Sequence, residues 1–290
     1  MIDQSTARRR LLATLGSIGA VGLAGCTEDE RDSSAGPDGD WELIVDETWE
    51  SFDTDRWAVG FIDREAWIPD DDAAVSDEHV IIEDGTCVLR IESEGAGPDG
   101  CFQGVINASV GGEPWHPDEG IAIDPSPPVY VEATMQLPGR VGILPAFWMH
   151  PADTTWPPEI DVVELFQDGS SNERETLNAD VHWSDSGDPG DQSTHRHDPI
   201  AHQTGRDLTA TMNTYGCAWF EDRIEWYFNG SQIATQTLSG SQRACLTADD
   251  ARPFGLVFSN HVNRIGEADL SVPWVEELRI DRVRVLKKRD

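Results

Sequence analysis

Glu159-Ile160-Asp161-Val162-Val163-Glu164 places three acids inside an otherwise apolar run, directly after Trp156-Pro157-Pro158. The flanking Leu165 and Phe166 continue the apolar pattern, so the segment reads as a buried strand rather than a solvated edge strand. Charges are costly to bury in a sheet, and three in one short strand imply a task. Strand side chains alternate faces, so Glu159 and Asp161 point the same way and Glu164 the opposite way. One extra residue, a β-bulge at Val162-Val163, returns Glu164 to the face of the other two. The glutamate Cα atoms are then roughly 13 Å apart at four strand steps. Two long side chains leaning together can bring their carboxyls to the ~5–5.5 Å that double displacement at a glycosidic carbon requires. In that chemistry Glu159 is the nucleophile and Glu164 the acid/base. Asp161 orients the nucleophile, and its charge helps keep Glu164 protonated.

The chain that must position these acids has 290 residues, enough for one large domain with its own core. It carries 54 acids against 21 Lys and Arg, a net charge of −33, and its only lysines are Lys287 and Lys288. Such a balance excludes nucleic acid as a partner, because phosphate binding needs positive charge. Eleven Trp and regular apolar runs oppose disorder. The expectation is a folded protein with an acidic shell, as in proteins from salt-loving organisms, whose self-repulsion salt would screen.

Residues 1–25 read as a targeting segment: Arg8-Arg9-Arg10, then an apolar Gly/Ala-rich stretch too short to span a membrane. The twin arginines resemble a Tat export signal, and Leu23-Ala24-Gly25-Cys26 resembles a lipobox, with Cys26 as lipid anchor. The alternative is a cleaved signal with an incidental cysteine. Residues 26–40 read as a flexible polar tether, and 41–290 as the functional domain. Export permits disulfides among Cys87, Cys101, Cys217 and Cys245. Either Cys87 pairs with Cys101 across a hairpin and Cys217 with Cys245, or all four are buried free thiols.

From Trp41 onward short β runs alternate with turns: Val80 to Ile82, Val88 to Ile91, Val129 to Leu137, Thr209 to Phe220, Ile224 to Phe228 and Leu278 to Leu286. Asn229-Gly230 predicts a tight hairpin. No segment past the targeting stretch carries a convincing amphipathic helix. The expected fold is all-β, a two-sheet antiparallel jelly-roll sandwich.

In ordered detail the chain resembles glycoside hydrolase family 16, the laminarinase-like branch. The similarity runs through Pro145-Ala146-Phe147-Trp148-Met149, the bulged Glu159-x-Asp161-x-x-Glu164 and His182-Trp183. It continues through Thr214-Tyr215-Gly216, Trp219, Tyr227-Phe228-Asn229-Gly230 and Ile280 to Val285. The resemblance implies a concanavalin A-like jelly roll with a concave cleft, and retaining endo-hydrolysis of β-linked glucans or galactans. It assigns Glu159, Asp161 and Glu164 the roles given above, and Trp148, Trp156, His182 and Trp183 to the sugar subsites, where flat aromatic faces suit sugar rings. No cofactor is required. Some relatives bind a structural calcium ion on the convex side, and Glu47, Gly85 and Asp281 fall in the matching places. The chain departs from the family pattern at Pro158, where relatives have Gly, at Gln103-Gly104-Val105, and at Ser259-Asn260-His261 in place of an Asn-rich strand.

The favoured substrate is a β-1,3 or mixed β-1,3-1,4 glucan. Alternatives are a galactan such as agarose or carrageenan, transglycosylation on the same glycosyl-enzyme, and sugar binding without catalysis. The intact acid trio opposes the last. His195, His197 and His202 lie in a Gly/Asp/Ser-rich loop that reads as a cleft rim rather than a metal site. The expected protein is an exported monomer, free or held to the membrane only by its lipid.

Overall fold

Side-chain alternation separates the layers. Along strand Ile143–Pro151, Phe147 and Met149 are fully buried in the main core, while Trp148 and His150 are half-buried on the opposite face. The computed structural model describes residues 36–61, 71–110, 113–114, 126–247 and 253–289. Among these, two sheets pack face to face, one of nine strands and one of ten, as a jelly-roll sandwich. The nine-stranded sheet runs in the order His195–His197, Thr176–Ser184, Glu159–Glu164, Ile143–Pro151, Phe254–Val262, Ile106–Val110, Trp57–Val59. In the ten-stranded sheet the long strand Pro273–Lys288 lies between Val129–Gln136 and Thr86–Glu94, and also pairs with Trp41–Glu47. Among the described residues the first strand is Trp41–Glu47.

The acid strand carries the predicted irregularity. Phe147 pairs with Val163 but its neighbour Trp148 pairs with Asp161, which leaves Val162 as an extra residue. On the other side Asp161 pairs with Asp180 and Glu164 with Asn178, three steps against two. Burial shows the phase change directly: Ile160 and Val162 face the inter-sheet core before the bulge, Val163 and Leu165 after it. A bulge disrupts the local ladder. Trp226, fully buried on the facing sheet, donates its indole N–H to the Asp161 carbonyl at 2.9 Å. The polar group at the irregular position is thereby satisfied inside the core, where an orphaned carbonyl would cost about 1–3 kcal/mol.

The other expected runs form strands with shifted ends. The run from Thr209 begins as a strand only at Asn213, because Asp207 Oδ1 accepts from the Thr209 N–H (2.9 Å) and closes a turn first. The last strand is longer than expected, Pro273–Lys288, with a bulge between Ile280 and Arg282. Asn229 (φ 47°) and Gly230 (φ 75°) form the expected hairpin, which needs two left-handed residues. One helix, Gly240–Thr247, was not expected. Eight residues are too few for a readable period, yet its start is marked by a capping box. Ser239 Oγ accepts from the Gln242 N–H (3.2 Å), and Gln242 Oε1 accepts from the Ser239 N–H (2.8 Å).

The disulfide pairing fails and the alternative holds: Cys87, Cys101, Cys217 and Cys245 are all buried thiols. Across the hairpin Cys101 pairs with Ser93, six residues from Cys87, so the two thiols lie far beyond bonding reach. Burial pushes the Cys101 thiol up to about 12, and those of Cys87 and Cys217 higher, so they behave as small apolar side chains.

Candidate active site

The bulge brings Glu159, Asp161 and Glu164 to the outer face of the nine-stranded sheet, the side turned away from the main core. Asp161 sits level with Trp148 on one neighbouring strand and Asp180 on the other. Glu159 sits level with His182, and Glu164 with Ala146 and Asn178. Asp161 is 4% exposed, and its Oδ2 accepts no hydrogen bond among the described residues. The His182 Nε2 serves this crowded set: it lies 3.4 Å from Asp161, 3.7 Å from Glu159 and 3.7 Å from Asp180. Three carboxyls thus converge on one ring nitrogen.

The ring of His182 is held from behind. Its Nδ1 hydrogen-bonds the His195 Nε2 at 2.9 Å, and the two rings stack at 5.1 Å. His197 stacks on its other side at 5.4 Å and bonds Asp180 Oδ2 through Nδ1 at 2.8 Å. Asp180 Oδ1 accepts from the backbone N–H groups of Val181 and Asp198. Trp156 packs against His195 at 4.6 Å and His182 at 6.0 Å, closing the end of the stack. The cleft-rim loop thus delivers two of its histidines to the acids. His202 is not one of them; it lies level with Leu177, on the core-side phase of its strand.

Burial and mutual repulsion raise all three acids. Glu159 is pushed well above the usual carboxylate range by desolvation and by Asp161, and Glu164 by desolvation, Asp161 and Asp180. Asp161 is raised by desolvation and by Asp180. The opposing pull comes from Arg264 on all three, and from His182 on the two glutamates. His195 is lowered by burial and by its two histidine neighbours.

Trp148 and Trp156 stand on the same side as the acids, half-buried. Trp183 does not. It follows His182 on a strand whose Leu177, Ala179 and Val181 fill the core, and it packs against that core instead of offering a sugar subsite. Strand alternation forbids His182 and Trp183 from sharing a face.

Asp180, His182 and His197 present one ligand atom each within 4.8 Å of one another, as do Glu159, Asp161 and His182. The planes of His182 and His197 are nearly parallel (11°), so their in-plane lone pairs do not converge on one point as metal ligation needs. The calcium expectation fares no better through its carboxylate. Glu47 Oε1 accepts from the N–H groups of Thr48 and Trp49; Oε2 accepts from Arg56 (2.8 Å) and Trp57 Nε1 (3.1 Å). The Arg56 guanidinium supplies the positive charge there, and Gly85 and Asp281 are exposed. Cys26 lies outside the described residues. Asp180, His195, His197 and Arg264 are the residues whose roles at the acids the sequence did not assign. Asp180 and His182 sit two apart in one strand, a same-face signal that was legible.

Residues 129–259 match the family model described as Glycosyl hydrolases family 16. Two endo-1,3-1,4-beta-glycanases of Rhizobium meliloti, ExsH and EglC, are each 37% identical to the chain over 105 residues. Those residues are 36% of this chain and 20% of each relative, so the chain spans about a fifth of the curated relatives it matches. The fold is shared with a Bacteroides ovatus mixed-linkage glucan GH16 protein in complex with a G4G4G3G product. That match has TM-score 0.64 and 20% identity, over 83% of this chain and 99% of that one. The endo-beta-1,3-glucanase of Pyrococcus furiosus matches at TM-score 0.63 and 23% identity, over 85% and 94% of the two chains. The laminarinase catalytic domain of Thermotoga maritima gives 0.64 and 20%, over 87% and 100%.

A carboxyl whose folded-state pKa is raised binds its proton more tightly when folded. Its contribution to stability is therefore complete below the unfolded pKa and is lost as pH rises through the folded value. At pH 7, above the unfolded pKa, that contribution is already being lost, and Glu164→Gln, whose amide does not titrate, escapes the loss. Glu164→Gln is expected to melt a few degrees above the wild type at pH 7, at ~2–4 °C per kcal/mol, with the difference shrinking toward pH 4. Differential scanning calorimetry at both pH values checks this; a variant that melts lower at pH 7 contradicts it.

Proposed function

We propose that the protein is a retaining endo-glycosidase that cleaves internal bonds of a β-1,3 or mixed β-1,3-1,4 glucan. The observation that carries this is the bulge, which sets Glu159, Asp161 and Glu164 on one face beside two half-buried tryptophans. The family match over 129–259 supports it, as do relatives and structural neighbours named for β-glucan cleavage.

The roles follow from the surroundings of each acid. His182 lies against Glu159 and favours the charged form of that carboxyl, which suits a nucleophile. Glu164 is raised by burial, Asp161 and Asp180, which favours the protonated form that a general acid needs. Glu159 attacks the anomeric carbon while Glu164 protonates the departing glycosidic oxygen. The C–O bond breaks, leaving a glycosyl ester on Glu159 and a carboxylate at Glu164. That carboxylate then takes a proton from water, the water oxygen attacks the anomeric carbon, and Glu159 leaves as carboxylate. Asp161 holds Glu159 in place through both steps. No step needs a metal.

The reading of residues 1–26 as an export signal ending in a lipidated cysteine supports a surface-anchored enzyme. Cys26→Ser is expected to move the protein from the membrane fraction to the medium; retention of the variant on membranes rules the anchor out. For the activity, products from laminarin, lichenan, agarose and carrageenan are compared. Short oligosaccharides are expected from the first two. Glu159→Gln is expected to lose at least ~10³-fold in kcat while still binding glucan. Undiminished cleavage by that variant removes Glu159 as nucleophile, and cleavage of the galactans alone overturns the substrate assignment.

A further inference from the structure

A second polar chain lies on the outer face, on the far side of Trp148 from the acids. It begins at Asp71, whose side chain is wholly shielded from solvent. Its Oδ1 accepts from the N–H groups of Ala73 and Val262, both at 3.0 Å. Its Oδ2 accepts from Gln103 Nε2 (2.8 Å) and His261 Nδ1 (3.1 Å). In the neutral imidazole with Nδ1 donating to Asp71, Nε2 is an acceptor, and Ser259 Oγ lies 3.5 Å from it. Ser259 Oγ in turn accepts the indole N–H of Trp148 at 3.0 Å. All donors thus run in one direction: indole to serine, serine hydroxyl to imidazole, imidazole to carboxylate. Phe61 stacks on His261 at 5.7 Å and fixes its plane.

Asp, His and Ser in this order are also the parts of a nucleophilic triad. Two observations oppose that use. Ser259 is fully buried, and its oxygen already accepts the Trp148 proton, which draws electron density from the atom that would attack. The far end of the chain points at a half-buried indole level with Asp161 instead of at open space.

We propose that Asp71, His261 and Ser259 are positioning residues that lock the Trp148 indole as the platform for a sugar ring beside the acids. The proposal rests on the glycosidase reading above. A Trp held only by apolar contacts can turn about its side-chain torsions; one whose N–H is anchored presents a fixed face, and ordering cost on sugar binding falls accordingly. The expected effect is on binding more than on the chemical step, because none of the three touches the reacting carboxyls.

The test is a double-mutant cycle between Ser259→Ala and Trp148→Phe, read both as steady-state kinetics on the glucan and as oligosaccharide binding in the Glu159→Gln background. Ser259→Ala is expected to raise KM about 5- to 20-fold with kcat within about twofold, and to weaken binding alike. In the Trp148→Phe background, where no indole N–H exists to anchor, Ser259→Ala is expected to change neither quantity. Equal KM effects of Ser259→Ala in both backgrounds, or an unchanged KM in the first, overturn the proposal, as does covalent labelling of Ser259 by a fluorophosphonate. If Ser259→Ala does not fold, Trp148→Phe decides alone, since it keeps an aromatic ring and deletes the anchoring donor; unchanged affinity overturns the proposal. Absence of any glucan binding or cleavage by the wild type defeats the glycosidase reading itself, an outcome distinct from a silent Ser259→Ala.

Discussion

One hydrogen bond across the sandwich, from the Trp226 indole to the Asp161 carbonyl, sits where the site departs from ordinary sheet geometry. A strand that gains a residue leaves part of its ladder unmade. Trp226 reaches over from the other sheet and supplies the partner. Val162 and Val163 then both face the core, and Glu164 returns to the side of Glu159. The shared face of the three acids is thus a consequence of backbone phase, secured by a residue buried on the other sheet.

That phase change concentrates charge. Glu159, Asp161, Glu164 and Asp180 crowd one patch, answered by the His182 imidazole and the more distant Arg264. Such a cluster opposes folding at neutral pH, and the hydrophobic sandwich beneath it must absorb the penalty. Its asymmetry is geometric: His182 Nε2 lies 3.7 Å from Glu159, although its pull reaches both glutamates. The histidine stack behind His182 keeps that asymmetry fixed, since His195 and His197 leave the ring little room to turn.

Much of this was legible in the sequence. The sandwich, the bulge and the acid trio follow from alternation, because three acids in an apolar run make sense only if one phase slip occurs. Trp183 was misread because a motif of adjacent residues ignores that neighbours on a strand face opposite ways. His195 and His197 could not be placed, since a Gly- and Asp-rich loop offers no period from which to infer a face. Glu47 resembled a metal ligand until Arg56 and Trp57, about ten residues on, were seen to occupy its carboxylate. The cysteine pairing failed because the hairpin register sets Cys101 against Ser93. Ser259 and His261 sit two apart in one strand, but nothing local ties them to Asp71; only the fold brings residues some 190 positions apart into one chain.

The central claim is that the bulge places two glutamates close enough for attack by one while the other delivers the proton. Proton NMR of the anomeric signals during the first minutes of glucan hydrolysis reads this directly. The account predicts that the new reducing end appears first with the β configuration of the bond cleaved, as two displacements at one carbon require. Initial appearance of the α anomer would mean a single displacement by water between more distant carboxyls, and would contradict it.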